Sequence, residues 1–457
     1  MLKFTDTIFA LSSGRPPAAI AVVRVSGPAA GAALEALIGK IPAPRHAALA
    51  HVRDPASGEM IDEGLALWFP APRSETGEDI AELQLHGGRA VIAAVLAALA
   101  RVSGCRPAEA GEFTRRAFEN GRLDLTRVEG LADLVGADTE AQRRQAFRQM
   151  RGALGDRSES WRTQLIEALA LVEARIDFPD EGDVPEDLIA PALAKARDLR
   201  DEIAATLADR RRGERLREGL VIAIAGPPNA GKSSLLNRIA RRDAAIVSPF
   251  AGTTRDVIEV HLDLDGCPVT FLDTAGIRDS SDPVEQEGVR RARERAGEAD
   301  LVLWVMDATS GGEIPVDAIK QEFSNNAKWI VWNKIDLVSV LRIKTLKSVI
   351  HKLDYPCYFI SALTESGFGP FLKAVAAHAQ KYLGTSEPAL VTRARHRHAL
   401  ENALGALDRA LNERLPVRED VVAEELRLAG RALGKLTGRV DVEDVLDVIF
   451  RDFCIGK

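Results

Sequence analysis

The sequence predicts a multidomain protein of the α/β and α classes. It would comprise an α+β N-terminal domain, an α-helical domain, and a doubly wound α/β domain inserted into the helical one. Three observations carry this. The chain has 457 residues, and at about 150 residues per domain that length suits three domains. Residues 218–383 alternate short apolar strands with helical stretches, the pattern of a parallel sheet with crossover helices. Helical periodicity lies on both sides of that segment, in 121–217 and 384–457.

Taken in order, residues 1–120 mix strands and helices. Ala19–Val25 (AIAVVRV) reads as a strand, and Ser26-Gly27-Pro28 opens a helix. Ala81, Leu83 and Leu85 alternate with Glu82, Gln84 and His86, which predicts a half-exposed strand with those three polar residues on one side. Gly87-Gly88 then leads into a helix containing VIAAVLAALA. In the helical segment, Leu199, Ile203 and Leu207 form one stripe, and Leu165, Ile166, Leu169 and Val172 form another. The acidic stretch DFPDEGDVPED (177–187) reads as a solvated connector. In 218–383 the strands are LVIAIAG (220–226), VTFLDTAG (269–276), DLVLWVMDA (300–308), KWIVWNKID (328–336) and CYFISAL (357–363). VIEVHLDLDG (257–266) alternates with period two, as an edge strand does. Beyond residue 384, Leu400, Leu404, Leu407 and Leu411 share a helix face.

Composition narrows the function classes. There are 60 Lys plus Arg against 67 Asp plus Glu, a net charge of −7, so any nucleic-acid contact must come from a local patch. Apolar residues are 46% and charged residues 28%, ordinary globular values that argue against disorder. Cys105, Cys267, Cys357 and Cys454 show no CxxC spacing, which argues against a zinc site or a disulfide framework and for a reducing cytoplasm. The start is a poor signal peptide, because Asp6 precedes a short apolar run. Apolar runs such as Val91–Ala100 are half the length a bilayer demands, so no membrane role is expected.

The strongest local signal is Gly226-Pro227-Pro228-Asn229-Ala230-Gly231-Lys232-Ser233, followed by Ser234. It matches G-x-x-x-x-G-K-[ST] between a strand and a helix, so backbone N–H groups would face phosphates. Lys232 would reach the β- and γ-phosphates as a catalytic residue, and the Ser233 hydroxyl would ligate Mg²⁺. Three further strand ends follow in the order GTPases use. Asp273-Thr274-Ala275-Gly276 would hold Mg²⁺ through the Asp, by way of water, and sense the γ-phosphate through the Gly. Asn333-Lys334-Ile335-Asp336 offers Asp336 to the guanine N1–H and N2–H₂ groups, donors that adenine lacks there. Ser361-Ala362-Leu363 would bring a backbone N–H to guanine O6. Thr254, in GTTRD (252–256), resembles the switch threonine that completes Mg²⁺ coordination.

The catalytic parts of Ras-like proteins are missing. Ile277 stands where those proteins carry a water-orienting Gln, and intrinsic hydrolysis is slow even with it, on the order of 10⁻⁴ per second. A positive finger is worth about 10³- to 10⁵-fold. Asn229 could hold a monovalent cation at that position. Glu285, in DSSDPVEQEG (279–288), is either a water-orienting acid or a solvated loop residue.

Over nearly its whole length the chain resembles the MnmE (TrmE) family of tRNA modification GTPases. The resemblance rests on VVRVSG (22–27), LWFP (67–70), TGEDIAELQLHGG (76–88), GEFTRRAF (111–118), DFPDE (177–181), REG (217–219), GPPNAGKSSLLN (226–237), AAIVSPFAGTTRDV (244–257), DTAGIR (273–278), NKID (333–336), AEELRLA (423–429) and FCIGK (453–457). It implies a homodimer whose N-terminal domain serves dimerisation and folate binding. It also implies a complex, a heterotetramer or larger, with an FAD- and NADH-using partner, MnmG. Together they would install aminomethyl or carboxymethylaminomethyl groups at C5 of the tRNA wobble uridine. A 5-formyl- or methylene-tetrahydrofolate would supply the carbon.

Carried over by motif, Asn229, Ser248, Phe250 and Thr253 would bind K⁺, Ser248 and Phe250 through backbone carbonyls, and Glu285 would orient water. Arg24, Glu82, Arg122 and Lys457 would contact the folate, Arg122 standing where a relative has Lys. Cys454 matches the terminal cysteine needed for modification, as a nucleophile or acid/base; a structural cysteine is the other reading. Cys-Ile-Gly-Lys is a poor prenylation box. The basic run Arg393–His398 is either a tRNA phosphate contact or a solvated helix face. The alternative function is an RNA-binding GTPase of ribosome assembly. The only segment resembling a KH-type GxxG loop is Gly152-Ala153-Leu154-Gly155, which sits in helical texture.

Overall fold

The computed structural model describes residues 4–178, 187–209, 211–241, 245–246, 259–273, 299–310, 327–350, 355–384, 389–412, 418–440, 446, 449–450 and 456. The chain divides into two compact units. One comprises Met1–Ala132, Arg148–Asp201 and Ala399–Lys457; the other comprises Asp133–Phe147 and Glu202–His398.

The first unit contains a six-stranded sheet in the order β3-β4-β5-β2-β1-β6. Its strands are β1 (Thr7–Leu11), β2 (Ala18–Ser26), β3 (Ala48–Arg53), β4 (Met60–Phe69), β5 (Ile80–Gly87) and β6 (Cys105–Pro107). Helices α1 (Ala30–Ile38) and α2 (Arg89–Ala100) cover one face. Alternation along the strands sends Val23, Val25, Ala81, Leu83 and Leu85 under those helices, against Leu34, Leu37, Val95 and Leu99. The polar side of β5 is thereby left on the opposite face. Across the sheet, Ala10 stands opposite Arg24, Arg24 opposite Glu82, and Glu82 opposite Leu67.

Near β1, helix α3 (Glu112–Glu119) inserts Arg116 into the interior. Its guanidinium donates to Glu78 Oε1 (3.2 Å), Asp6 Oδ1 (2.9 Å) and Glu112 Oε1 (3.1 Å), and it lies 4.4 Å from the centre of the Phe4 ring. Ser26 Oγ donates to Glu78 at 2.8 Å. Arg116 and Glu78 are wholly buried, so every charge here must be matched by a partner. Burial raises the Glu78 pKa, with Ser26 and Arg116 opposing. For Glu112 burial also pushes upward, but hydrogen bonds from Arg106, the Glu109 N–H and Arg116 prevail and hold it below 4.5.

The helical segments are α4 (Leu125–Val135), α5 (Glu140–Met150), α6 (Ala153–Asp177), α7 (Ile189–Leu207) and α8 (Arg212–Glu218). The buried stripe of α6 is Trp161, Leu165, Ala168 and Val172. Ile166, expected on that stripe, is instead 48% exposed, because one residue past Leu165 turns it about 100° around the helix axis. The GxxG-like stretch is no loop: Gly152 caps α6 in the left-handed region, and Gly155 packs so tightly on Asp124 that a Cβ would sit 2.6 Å from its Oδ2. A KH-type reading loses its only foothold. In the same unit, Leu446 and Phe450 join Leu125 and Val128 in one apolar cluster. Gly456 (φ +98°) lies against β1, where a Cβ would meet the Leu11 carbonyl oxygen at 2.1 Å.

The second unit contains a seven-stranded sheet in the order β13-β12-β11-β7-β10-β9-β8. Its strands are β7 (Leu220–Ala225), β8 (Ala245–Ile246), β9 (Glu259–Leu264), β10 (Cys267–Asp273), β11 (Leu301–Asp307), β12 (Ala327–Asn333) and β13 (Cys357–Phe359). The five from β13 to β10 are parallel; β9 and β8 are antiparallel additions. Strand β9 was expected at the edge but is penultimate among the described strands, with the two-residue β8 outside it. The parallel strands are apolar on both faces, as a doubly wound sheet requires. Ile222, Ile224, Leu303, Val305 and Val331 face α9 (Lys232–Ala240) and the helix Phe368–Leu383. Ala223, Val302, Trp304, Ile330 and Trp332 face Leu346 of α10 (Val340–Ile350). In chain order the remaining helices are α11 (Phe368–Leu383), α12 (Ala394–Leu411) and α13 (Glu419–Thr437).

The basic run beside α12 is engaged within its own unit. Arg397 is 7% exposed and pairs with Asp209 (2.7 Å) and Glu214 (3.1 Å). Arg393 meets Asp133 at 2.6 Å, and His396 is fully buried. Neither a phosphate contact nor a solvated face describes those three residues. Cys105, Cys267 and Cys357 are free thiols whose pKa burial raises, that of Cys357 to about 11.

Candidate functional site

In the sheet order, the chain steps from β7 to β10 on one side and β11 on the other. This is a switch point, and the crevice beyond its strand ends is where doubly wound sheets bind ligands. The segment Gly226–Ser233 leaves β7 there. Gly226 (φ +138°) crosses β11 so closely that a Cβ would lie 2.2 Å from the Val305 carbonyl oxygen. Asn229 (φ 61°) and Gly231 (φ 91°) complete the turn in the left-handed region, which glycine and asparagine tolerate best. Helix α9 starts at Lys232, so its N–H groups and the positive end of its dipole face the loop.

Lys232 Nζ donates to the carbonyls of Gly226 (2.7 Å) and Pro227 (3.0 Å). Burial lowers its pKa, and Asp273 works the other way. Ser233 Oγ donates to Asp273 Oδ2 at 3.2 Å. A hydroxyl and a carboxylate this close are hard oxygen ligands of the kind Mg²⁺ takes, with waters and phosphate oxygens completing the shell.

The guanine-type motifs converge on the same loop. Asn333, 2% exposed, donates its amide to the Ala230 carbonyl (3.0 Å), and its Oδ1 accepts from the Ala362 N–H (3.0 Å). One side chain thus ties Ala230 to Ala362. Lys334 lies over the loop, donating to the Asn229 carbonyl and to Asp307, both at 2.7 Å. Burial alone would raise the Asp307 pKa, but Lys334 and Thr309 bring it below its ordinary value. Asn333, Lys334 and Ala362 border a cleft of about 410 Å³ that is also lined by Ser234, Arg238, Asp336, Leu337, Ser361 and Leu363. Asp307 and Arg238 escaped the sequence reading. The first ends an apolar strand and the second is one of many helix arginines, so neither carries a local signal.

Other predicted residues meet in the first unit. Arg24 pairs with Glu82 (2.9 Å) and Glu75 (2.5 Å). Two residues on, Gly77 packs against Arg122, whose Cγ would lie 3.2 Å from a Cβ there. Arg24 and Arg122 therefore border one stretch, residues 75–77, and Glu82 joins it through Arg24. Ser248, Phe250, Thr253, Thr254, Thr274, Ala275, Gly276, Glu285, Cys454 and Lys457 lie outside the described residues.

A phosphate loop at the switch point, joined through one buried asparagine to two base-facing strand ends, places the chain among the P-loop GTPases. Comparison with known proteins narrows the class. The family described as the MnmE helical domain matches residues 125–454, and that described as the GTP-binding protein TrmE N-terminus matches residues 7–122. The chain is 58% identical over 454 residues to the tRNA modification GTPase MnmE of Rhodopseudomonas palustris strain BisB18, covering 99% of both chains. It is 54% identical to that of Azorhizobium caulinodans strain ORS 571, over 100% of both chains. Among solved structures, Era in complex with MgGDPNP and a 16S ribosomal RNA fragment aligns with 48% of this chain and 89% of its own, at 25% identity. Its TM-score of 0.30 is too low to bear on the fold. The chain belongs to the MnmE family of tRNA modification GTPases, and is a GTP hydrolase acting in tRNA modification. Among the described residues, no helix is long and apolar enough to cross a membrane.

Proposed function

We propose that this GTPase is potassium-activated, acts as a homodimer, and works in the cytoplasm with FAD-dependent MnmG. The pair installs aminomethyl or carboxymethylaminomethyl groups at C5 of the tRNA wobble uridine, using a one-carbon tetrahydrofolate. The domains are 1–120 (α+β, folate-binding and dimerising), 121–217 and 384–457 (helical), and 218–383 (GTPase). The observation that carries the GTP half is the Asn333 tie between Ala230 and Ala362, which joins a phosphate-facing loop to a base-facing one.

In this reading Asp336 accepts from the guanine N1–H and N2–H₂, and adenine is rejected because the carboxylate would stay unpaired. Lys232 swings from its loop carbonyls to the β- and γ-phosphates. Ser233, Thr254 and Asp273 hold Mg²⁺, which when bound offsets phosphate charge. Asn229, Ser248, Phe250 and Thr253 hold K⁺ in place of an arginine finger, and Glu285 orients the attacking water that Ile277 cannot. The folate reading rests on donor chemistry: the Glu82 carboxylate suits pterin N–H groups, with the Arg24 guanidinium beside it, and Arg122 and Lys457 suit carboxylates of the glutamate end. Cys454 supplies a thiol for the modification step.

The test is nucleoside mass spectrometry of tRNA from a strain lacking this protein, complemented with wild type, with Cys454→Ser, or with nothing. Loss of the wobble C5 group, restored by wild type alone, is expected. Its persistence without the protein, in a strain holding no paralogue, overturns the proposal. Restoration by Cys454→Ser overturns only the role of the thiol.

A further inference from the structure

We infer that Arg238 is a positioning residue for guanine recognition, aiming the N–H of Leu363 at the 6-oxo group of the base. The inference rests on the reading of the 410 Å³ cleft as the guanine site. Arg238 projects from the last turn of α9 and is 26% exposed. All three guanidinium nitrogens are engaged by one loop. Nε donates to the Ala362 carbonyl (2.9 Å), Nη2 to the Leu363 carbonyl (2.8 Å), and Nη1 to the Glu365 carboxylate (2.5 Å).

The consequence follows from peptide geometry. In a trans peptide the C=O of one residue and the N–H of the next point in opposite directions. Holding the Ala362 carbonyl on Arg238 therefore turns the Leu363 N–H away from the arginine. The other donors of this loop are occupied. The Ser361 N–H bonds Ser366, the Ala362 N–H bonds Asn333, and the Thr364 and Glu365 N–H groups both bond Ser361. For the Leu363 N–H no acceptor exists among the described residues, and Leu363 lines the cleft together with Asp336. Asn333 thus holds one side of the Ala362 residue and Arg238 holds the next peptide. Asp336 reads the 1- and 2-positions of the purine, and Leu363 reads position 6.

The experiment titrates the full-length protein and its variants with three diphosphates by competition against a fluorescent GDP analogue. GDP and IDP carry the 6-oxo group, and IDP lacks the 2-amino group. The 2,6-diaminopurine nucleotide carries a 6-amino group that cannot accept from Leu363. In Arg238→Ala, GDP and IDP affinities fall by the same factor, about tenfold, as expected for lost charge-assisted hydrogen bonds. The diaminopurine nucleotide keeps its affinity, so discrimination between oxo and amino narrows tenfold while the GDP-to-IDP ratio holds. Arg238→Lys keeps the charge without the fork and behaves like the Ala variant. An equal loss for all three nucleotides, no loss at all, or full recovery with Lys overturns the inference. Asp336→Ala separates it from the reading beneath. If that variant binds GDP like wild type, the cleft is not the guanine site; if GDP binding falls while Arg238→Ala leaves oxo discrimination intact, the Arg238 role alone is wrong.

Discussion

The two sheets hold their polar residues in different ways. In the seven-stranded sheet both faces are apolar, and the polar groups gather at the strand ends and just past them. Asp273 and Asn333 close β10 and β12, and Ser361 follows β13. In the six-stranded sheet one face is apolar, and the polar groups stand on the other face or at its edge. Arg24 and Glu82 meet there by strand register, and Arg116 and Glu78 meet inside. A strand-end loop is contiguous in sequence and reads as a motif. A cluster on a sheet face is assembled from residues dozens of positions apart and reads as nothing until the register is known.

The largest expected effect tests the strand-end side of this contrast. Asn333→Ala leaves the Ala230 carbonyl and the Ala362 N–H without their buried partner. At about 1–3 kcal/mol for each orphaned group, the unfolding midpoint should fall, and with the two loops no longer tied, GDP affinity measured by calorimetry should fall about 100-fold. If affinity stays within a factor of three, the two loops are positioned without this tie and the comparison breaks.

The next tests the buried side. Arg116→Met strands Glu78 in the interior with Asp6 and Glu112 beside it. Breaking a buried ion pair by removing one partner costs about 3–5 kcal/mol, to be read from urea unfolding monitored by circular dichroism. GDP affinity should hold under native conditions, because Arg116 belongs to the other compact unit.

The smallest sharpens the electrostatics of that network. The Glu112 carboxyl is held below its ordinary 4.5 in the folded protein, so the folded state binds its proton less readily than the unfolded one. Its contribution to stability is therefore complete above pH 4.5 and is lost as pH falls through the folded value. Glu112→Gln should be less stable than wild type at pH 6, and its stability should decline less steeply toward pH 3. Parallel slopes in the two proteins would show that Glu112 carries none of the acid sensitivity.

By itself the sequence determined what short-range chemistry can determine. The Gly226–Ser233 loop, the strand ends at Asp273, Asn333 and Ser361, and the alternation of β5 were legible because each lies within a few consecutive residues. Each also has one physical rationale: positive φ, a helix N-terminus, or period two. The family membership was legible for the same reason, through runs such as GPPNAGKSSLLN and NKID. Tertiary structure alone decided which residues those loops lean on. It put Asp307 under Lys334, Arg238 under the Ala362–Leu363 peptide, Glu75 beside Arg24, and Gly456 on Leu11. It paired Arg393 with Asp133 and Arg397 with Asp209 and Glu214, and it left Ile166 outside the α6 stripe. A charged side chain far from its partner in sequence carries no periodicity and no motif. Its role is set by desolvation and by the one partner the fold brings within about 3 Å, and both exist only once the chain has packed.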